Sequence, residues 1–184
     1  VLSRRDDGYH EIKTVIQTID LADRLEFYPS PRLQVECNDK TLSGQANLVW
    51  QAAQALANAG GVEPRARIMI EKHIPTSMGL GGGSSDAAGA LLGLNVFWGL
   101  GLSVDELAVI AAGLGSDVSF FLWGGTALAP GRGDAITSLS PLPPLAVTLV
   151  FPDLQIPDKT VAMYSKLTVG QFSDGGVTRQ MIQT

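Results

Sequence analysis

A run of glycines set between a strand-like and a helix-like segment limits this chain more than any other feature. Residues 75–90 read PTSMGLGGGSSDAAGA, with four glycines in the five positions from Gly79 to Gly83. Just before them ARIMIEKHIP, residues 66–75, alternates apolar and polar side chains and ends at a proline, which predicts a strand. Just after them SDAAGALLGLNVFWG is built of small and apolar residues and predicts a helix. A strand, a bare turn and a helix start together form an anion site. The first turn of a helix leaves backbone N–H groups unpaired, its dipole favours negative charge by roughly 0.3–1 kcal/mol, and glycine lets an oxyanion approach the main chain. A flexible loop whose Ser84, Ser85 and Asp86 cap the helix is the plainer alternative. Two familiar phosphate loops are excluded: no lysine follows the glycines as GxxxxGK[ST] requires, and the window from Gly79 ends at Ser84 where a dinucleotide fingerprint has glycine.

The rest of the chain frames this motif. RRDDGYH, residues 4–10, reads as a polar turn, and the β-branched run EIKTVIQTI predicts a strand over residues 11–19. RLEFY and RLQVEC alternate around Pro29 and Pro31 and predict two short half-buried strands. Asn47 precedes LVWQAAQALANAGG, whose apolar residues recur at helical spacing until Gly60 and Gly61 end the run. Ser103 and Glu106 form a capping box ahead of LAVIAAGL, a third helix closed by Gly115. After the short segment DVSFFLW, GGTALAPGRGDAITSL holds two strand-like pieces around a turn at residues 130–133. AVTLVFP, residues 146–152, is the most strand-like window of all, and VAMYSKL reads as helical. Strands first, helices in the middle and a hairpin later indicate an α+β fold.

Composition excludes some partners. Thirteen Lys and Arg against 18 Asp and Glu give a net charge of −5, so no broad basic surface for nucleic acid or anionic lipid is expected, and a phosphate must be held locally. No window reaches about 18 uninterrupted apolar residues, so no membrane span is expected. The single cysteine, Cys37, falls in the alternating run LQVEC, is read as core, and fits a reducing compartment. The chain opens at Val1 and stops at Thr184 in a polar stretch that closes no obvious element, as expected for a piece of a longer protein.

These residues resemble the GHMP kinases, the family of galactokinase, homoserine kinase and mevalonate kinase. IPTSMGLGGGSSDAAGALLGLN is similar to that family's second motif, a loop that wraps the phosphates of ATP. RRDDGYHEIKTVIQTIDLADRLEF, AGLGSDVSFFLWGGTALAPGRGD and FPDLQIPDKTVAMYSKL extend the likeness over essentially the whole chain. The pairing of DGYH with LGSDV narrows it to the branch that phosphorylates the 2-hydroxyl of a cytidine-diphosphate-linked methylerythritol on the non-mevalonate route to isoprenoids.

The resemblance implies a fold, a division and a site. The fold is the two-layer α+β arrangement of the family's amino-terminal domain, with a left-handed β-α-β crossover, lacking the first strand and most of a carboxy-terminal ferredoxin-like domain. Residues 1–150 would be the ATP-binding domain and residues 151–184 the start of the second. Pro75, Thr76, Ser77, Met78, Gly79, Leu80, Gly81, Gly82, Gly83, Ser84, Ser85 and Asp86 would line the ATP phosphates, Asn47 and Leu48 the adenine, and Lys72 the nucleoside. Asn47 is equally a good helix cap, and Lys72 could be a solvated strand residue.

Asp117 matches the aspartate beside the acceptor hydroxyl, where phosphoryl transfer uses a carboxylate to orient or deprotonate the alcohol. As plain sequence it reads as a helix cap after Gly115. Tyr9 and His10 match the pair that meets the cytosine, and Tyr164 the aromatic residue over its other face. The implied cofactors are ATP and Mg²⁺, with no protein metal ligand named. The implied partner is a small cytidine-diphosphate substrate, with neither nucleic acid nor membrane, and the implied setting is a bacterial cytoplasm or plastid stroma. A homoserine- or mevalonate-type kinase, or an inactive nucleotide sensor of the same fold, are the alternatives; DGYH speaks against the first and Asp117 against the second.

Overall fold

The computed structural model describes residues 1–133, 135–151 and 159–182. Strands run over Ser3–Arg4 (β1), His10–Gln17 (β2), Arg24–Tyr28 (β3), Gln34–Cys37 (β4), Arg67–Glu71 (β5), Thr126–Gly131 (β6) and Thr137–Ser138 (β7). Helices run over Leu48–Gly60 (α1), Gly82–Phe97 (α2), Val104–Leu114 (α3), Val118–Trp123 (α4), Lys159–Tyr164 (α5) and Gly176–Met181 (α6). They fall into two units, one of residues 19–124 and one of residues 1–18 with 125–184.

In the unit of residues 19–124, β5 is the middle strand of a three-stranded sheet, antiparallel to β3 and parallel to β4. Parallel neighbours need a crossover, and α1 supplies it between β4 and β5. Alternation decides the two faces of this sheet. Val35, Ile68 and Ile70 are buried, with Leu25 and Phe27 packed against them. On the exposed side Arg67 grips the Glu36 carboxylate through Nε and Nη2, both at 2.8 Å, and Arg24 Nη2 donates to Glu26 at 2.7 Å. The helices complete the core with Val49, Ala52, Ala53 and Leu56 of α1, Ala87, Ala88, Ala90, Leu91 and Leu94 of α2, and Leu107 of α3. Each fully buried leucine among them contributes about 1.5–3 kcal/mol.

Small residues on α2 let the sheet approach it. A Cβ on Gly93 would lie 2.4 Å from the Phe27 ring, and one on Gly89 would lie 3.8 Å from Leu25. Gly93→Ala should therefore destabilise the fold by about 1–3 kcal/mol through overpacking. Equilibrium unfolding in urea reads this, and an unchanged midpoint would show that Phe27 yields without cost. Past α2, Asn95 Nδ2 donates to Leu102 O at 2.8 Å and its Oδ1 accepts from Leu102 N at 3.0 Å, tying the turn into α3 to the helix before it.

In the other unit β2 pairs antiparallel with both β1 and β6, and β6 with β7, in the order β1-β2-β6-β7. The β2–β6 register sets Thr14 opposite Ala129 and Ile16 opposite Ala127. Thr178 Oγ1 of α6 donates to Lys13 O at 3.1 Å, seating that helix against β2.

Most expected elements are present, and the differences have local causes. The residues before the first strand contain β1, because the turn at residues 5–9 closes a hairpin, with Arg5 N donating to Tyr9 O at 2.9 Å. The strand expected to residue 75 ends at Glu71, where Asn38 takes over the next backbone groups: its Oδ1 accepts from Lys72 N and its Nδ2 donates to Lys72 O. The segment DVSFFLW is helical from Val118. Cys37 is half-buried at the end of β4 and packs against the core rather than inside it. The expected strand at residues 146–152 does not form over residues 146–151, which lie in no regular element, with Val147 and Val150 exposed. A strand needs a ladder partner, and β-propensity cannot replace one. Residue 152 lies outside the described residues.

Candidate functional site

The glycine segment leaves β5 through residues 72–74, turns, and becomes α2 at Gly82. The turn needs its glycines: Gly79 and Gly81 adopt φ of 82° and 70°, and a Cβ on Gly81 would lie 2.8 Å from the Phe121 ring. A Cβ on Gly82 would lie 2.9 Å from Ile74 and 3.2 Å from Lys72 Nζ. Ser77 is held at φ 61°, a conformation a serine adopts only at a cost of roughly 1–2 kcal/mol. The helix begins three residues earlier than a cap at Ser84 would set it. Its N-cap is Gly81, and no side chain caps it, so Ser84, Ser85 and Asp86 lie inside the helix. Gly81 O accepts from Ser85 N at 2.8 Å, the first bond of the helix ladder, and the N–H groups before Ser85 are those a helix start leaves without a partner inside the helix.

A cavity of about 400 Å³ opens onto these N–H groups. Its wall takes in Asn47, Leu48, Lys72, residues 75–84 and Asp86, together with Leu42 and Ala46. Ser85 is the expected loop residue that does not line it. Asn47 does cap α1: its Oδ1 accepts from Val49 N at 2.8 Å while its Nδ2 donates to Leu42 O at 2.7 Å, so the cap and the cavity share one side chain.

Lys72 is not a solvated strand residue. Its side chain is 9% exposed, and its ammonium donates to Asp23 Oδ2 and, at 2.8 Å, to Asp86 Oδ2. The other Asp23 oxygen accepts the backbone N–H groups of His73 at 2.5 Å and Ile74 at 2.8 Å. Burial pushes the Asp23 carboxyl up, but Lys72 and those two N–H groups outweigh it and hold Asp23 below the usual range. For Lys72, burial works downward and the two carboxylates prevail, raising it. At Asp86 burial wins over Lys72, and with Asp23 also opposing its charge the carboxyl is pushed up to about 6.

Asp117 sits at the N-cap position of α4, yet its side chain makes no capping hydrogen bond and is exposed. It does not line the cavity; four residues further on, the Phe121 ring lies against Gly81.

In the unit containing residues 1–18, Tyr9 and His10 stand at the start of β2. The Tyr9 ring is 55% exposed, with the Arg132 guanidinium 5.0 Å from its centroid. The Tyr164 ring lies 4.9 Å from that of His10, tilted by 38°, and Phe172 meets His10 edge-on at 6.2 Å.

Residues 47–125 match the model of the GHMP kinases N terminal domain. The whole chain is 44% identical over 186 aligned residues to the 4-diphosphocytidyl-2-C-methyl-D-erythritol kinase of Listeria welshimeri, and spans 63% of that protein. This chain belongs to the GHMP kinases. Over 91% of its length it is 47% identical to the enzyme of the same name from Geobacillus thermodenitrificans, of which it spans 58%. Among solved structures, a crystal structure of 4-(cytidine 5'-diphospho)-2C-methyl-D-erythritol kinase matches all of the chain and 65% of that protein, with a TM-score of 0.78 and 36% identity. A mevalonate kinase structure matches 73% of the chain with a TM-score of 0.59 and 18% identity, a likeness of fold.

Three residues of this GHMP kinase chain near the candidate sites escaped the sequence reading. Asp23, in the turn DLAD, carried no signal beyond turn chemistry, since its partners lie about fifty positions away along the chain. Phe172 and Arg132 likewise join Tyr9 and His10 through pairing and packing rather than through any motif.

Proposed function

We propose that this chain is the nucleotide-binding part of an ATP-dependent kinase that phosphorylates the 2-hydroxyl of 4-diphosphocytidyl-2-C-methyl-D-erythritol, a step of the non-mevalonate route to isoprenoids. The observation that carries this reading is the 44% identity to a protein of that name along the entire chain. The open first turn of α2 on a cavity wide enough for a nucleotide supports it. Residues 1–150 are, in this reading, the ATP-binding domain, and residues 151–184 begin a second one. The bacterial sources of the relatives favour a cytoplasmic setting.

ATP phosphates rest on the N–H groups of Gly82, Gly83 and Ser84, with Asn47 and Leu48 against the adenine. Magnesium bound with the nucleotide would supply the charge neutralisation that its phosphates need. The Asp117 carboxylate orients the acceptor hydroxyl and takes its proton. The hydroxyl oxygen bonds to the γ-phosphorus as the bond to the bridging oxygen breaks, and ADP leaves. Tyr9 stacks on the cytosine, His10 reads its edge, and Tyr164 closes on the opposite side.

The test is ADP release by the complete polypeptide that carries these residues, offered the cytidine-linked methylerythritol beside mevalonate and homoserine. Turnover confined to the cytidine substrate is expected. Turnover of another acceptor would assign a different GHMP reaction, and silence with ATP binding intact would indicate a sensor. In the same assay Tyr9→Ala should raise the KM for the cytidine substrate by about 5- to 100-fold, the worth of one stacked base, and leave that for ATP nearly unchanged. Equal losses for both would remove Tyr9 from the base site.

A further inference from the structure

Both ends of the glycine loop are tied to one buried charge cluster, and Asp23, which belongs to neither end, joins them. Asp23 Oδ1 accepts the N–H groups of His73 and Ile74, the last two residues before the loop opens at Pro75. Asp23 Oδ2 accepts from Lys72, whose ammonium reaches across to Asp86 in the first turns of α2, just past the end of the loop. The three side chains are 1%, 9% and 4% exposed, in the order Asp23, Lys72, Asp86. An ammonium so enclosed between two carboxylates is a poor phosphate ligand, because moving it would strand two buried charges. Its use lies in where it holds other groups. Asp86 Oδ1 has no hydrogen-bond partner among the described residues, and Asp86 also forms part of the cavity wall. The groups that face Asp86 electrically are Lys72 and Asp23, with Cys37 of β4 nearby.

We propose that Asp23, Lys72 and Asp86 form a clamp that locks the start and the end of the glycine loop together and so keeps the N–H groups of the α2 first turn at the spacing an anion needs. Asp23 and Asp86 are positioning residues: they act through the loop backbone and through Lys72. The clamp itself is independent of the nucleotide reading, while its effect on phosphate rests on that reading.

The experiment is hydrogen exchange on the complete polypeptide without nucleotide, joined to steady-state kinetics with ATP. Asp23→Asn keeps an oxygen for the two backbone donors and loses the charge facing Lys72; Asp23→Ala loses both. In Asp23→Ala, amides of residues 76–86 should exchange at least about 10-fold faster, with α1 and α3 within about 3-fold of wild type, and Asp23→Asn should fall between. The KM for ATP should rise about 10-fold with kcat within about 3-fold, the split of a preorganised binding loop rather than of a lost reacting group. Asp86→Ala, which removes the acceptor that Lys72 reaches on α2, should loosen the loop as well. Exchange that rises equally in α1, α3 and the loop, or a loop that keeps its wild-type rate in Asp23→Ala, overturns the clamp. A loosened loop with an unchanged KM overturns its effect on phosphate. If the wild-type protein turns over no ATP, the kinase reading fails while exchange alone still decides the clamp.

Discussion

Replacing Asp117 by asparagine should lower turnover by about 10²- to 10⁴-fold, the range of a lost general base, and leave the fold and the affinity for ATP almost untouched. The separation of these effects follows from the structure. The Asp117 side chain is exposed and makes no capping bond to α4, so the amide removes no hydrogen bond from that helix end. A surface substitution of this kind costs about 0.5 kcal/mol or less. The amide preserves shape and hydrogen-bonding reach but cannot take a proton from an alcohol. Single-turnover phosphate transfer and ATP binding, measured side by side on the complete polypeptide, separate chemistry from binding. Turnover within a few-fold of wild type would remove Asp117 from the mechanism and leave its exposed, uncapping carboxylate without a role.

Lys72→Met should be the most damaging substitution for stability, costing about 3–5 kcal/mol at neutral pH, because it abandons two buried carboxylates to each other. The loss has a sign in pH. In the wild type Asp23 sits below its ordinary value, so its contribution is present at neutral pH and is lost only as pH falls through that lowered value. Asp86 is pushed up to about 6 from 3.8; between those values the native state binds more protons than the unfolded chain, and stability falls as pH rises through that window. Without Lys72 only the N–H groups of His73 and Ile74 still favour the Asp23 carboxylate while burial raises both carboxyls, so the deficit grows as pH rises and shrinks in acid, where both are protonated. Urea unfolding followed through Trp50, Trp98 and Trp123 should show the full deficit at pH 8 and a much smaller one at pH 5. An equal deficit at both would mean that methionine fails by shape rather than by charge.

The two substitutions also mark how far the sequence could be read. Asp117 stands out in the sequence because LGSDV is a local pattern, and of its two readings only the cap can be compared with the structure, which lacks the capping hydrogen bond. Lys72 was legible as a residue near the loop but not as a buried one. A lysine following an alternating strand reads as solvated, and only the approach of Asp23 and Asp86 from 49 and 14 positions away encloses it. The same contrast separates Asn47, whose capping role is visible in its neighbours, from residues 146–151, whose β-branched run promised a strand that pairing does not supply.

What the sequence determined by itself was therefore governed by near neighbours: α1 and α3 with their caps at Asn47 and Ser103, the strand before the glycines and the helix after them, and a motif specific enough to mark a family. Those features arise from backbone sterics, side-chain period and capping, which act within a few residues. Tertiary structure alone decided which strands pair, where Lys72 finds its two carboxylates, and that the loop is tied at both ends to Asp23. Burial and charge partnership depend on groups distant along the chain, and at these positions no local pattern records them.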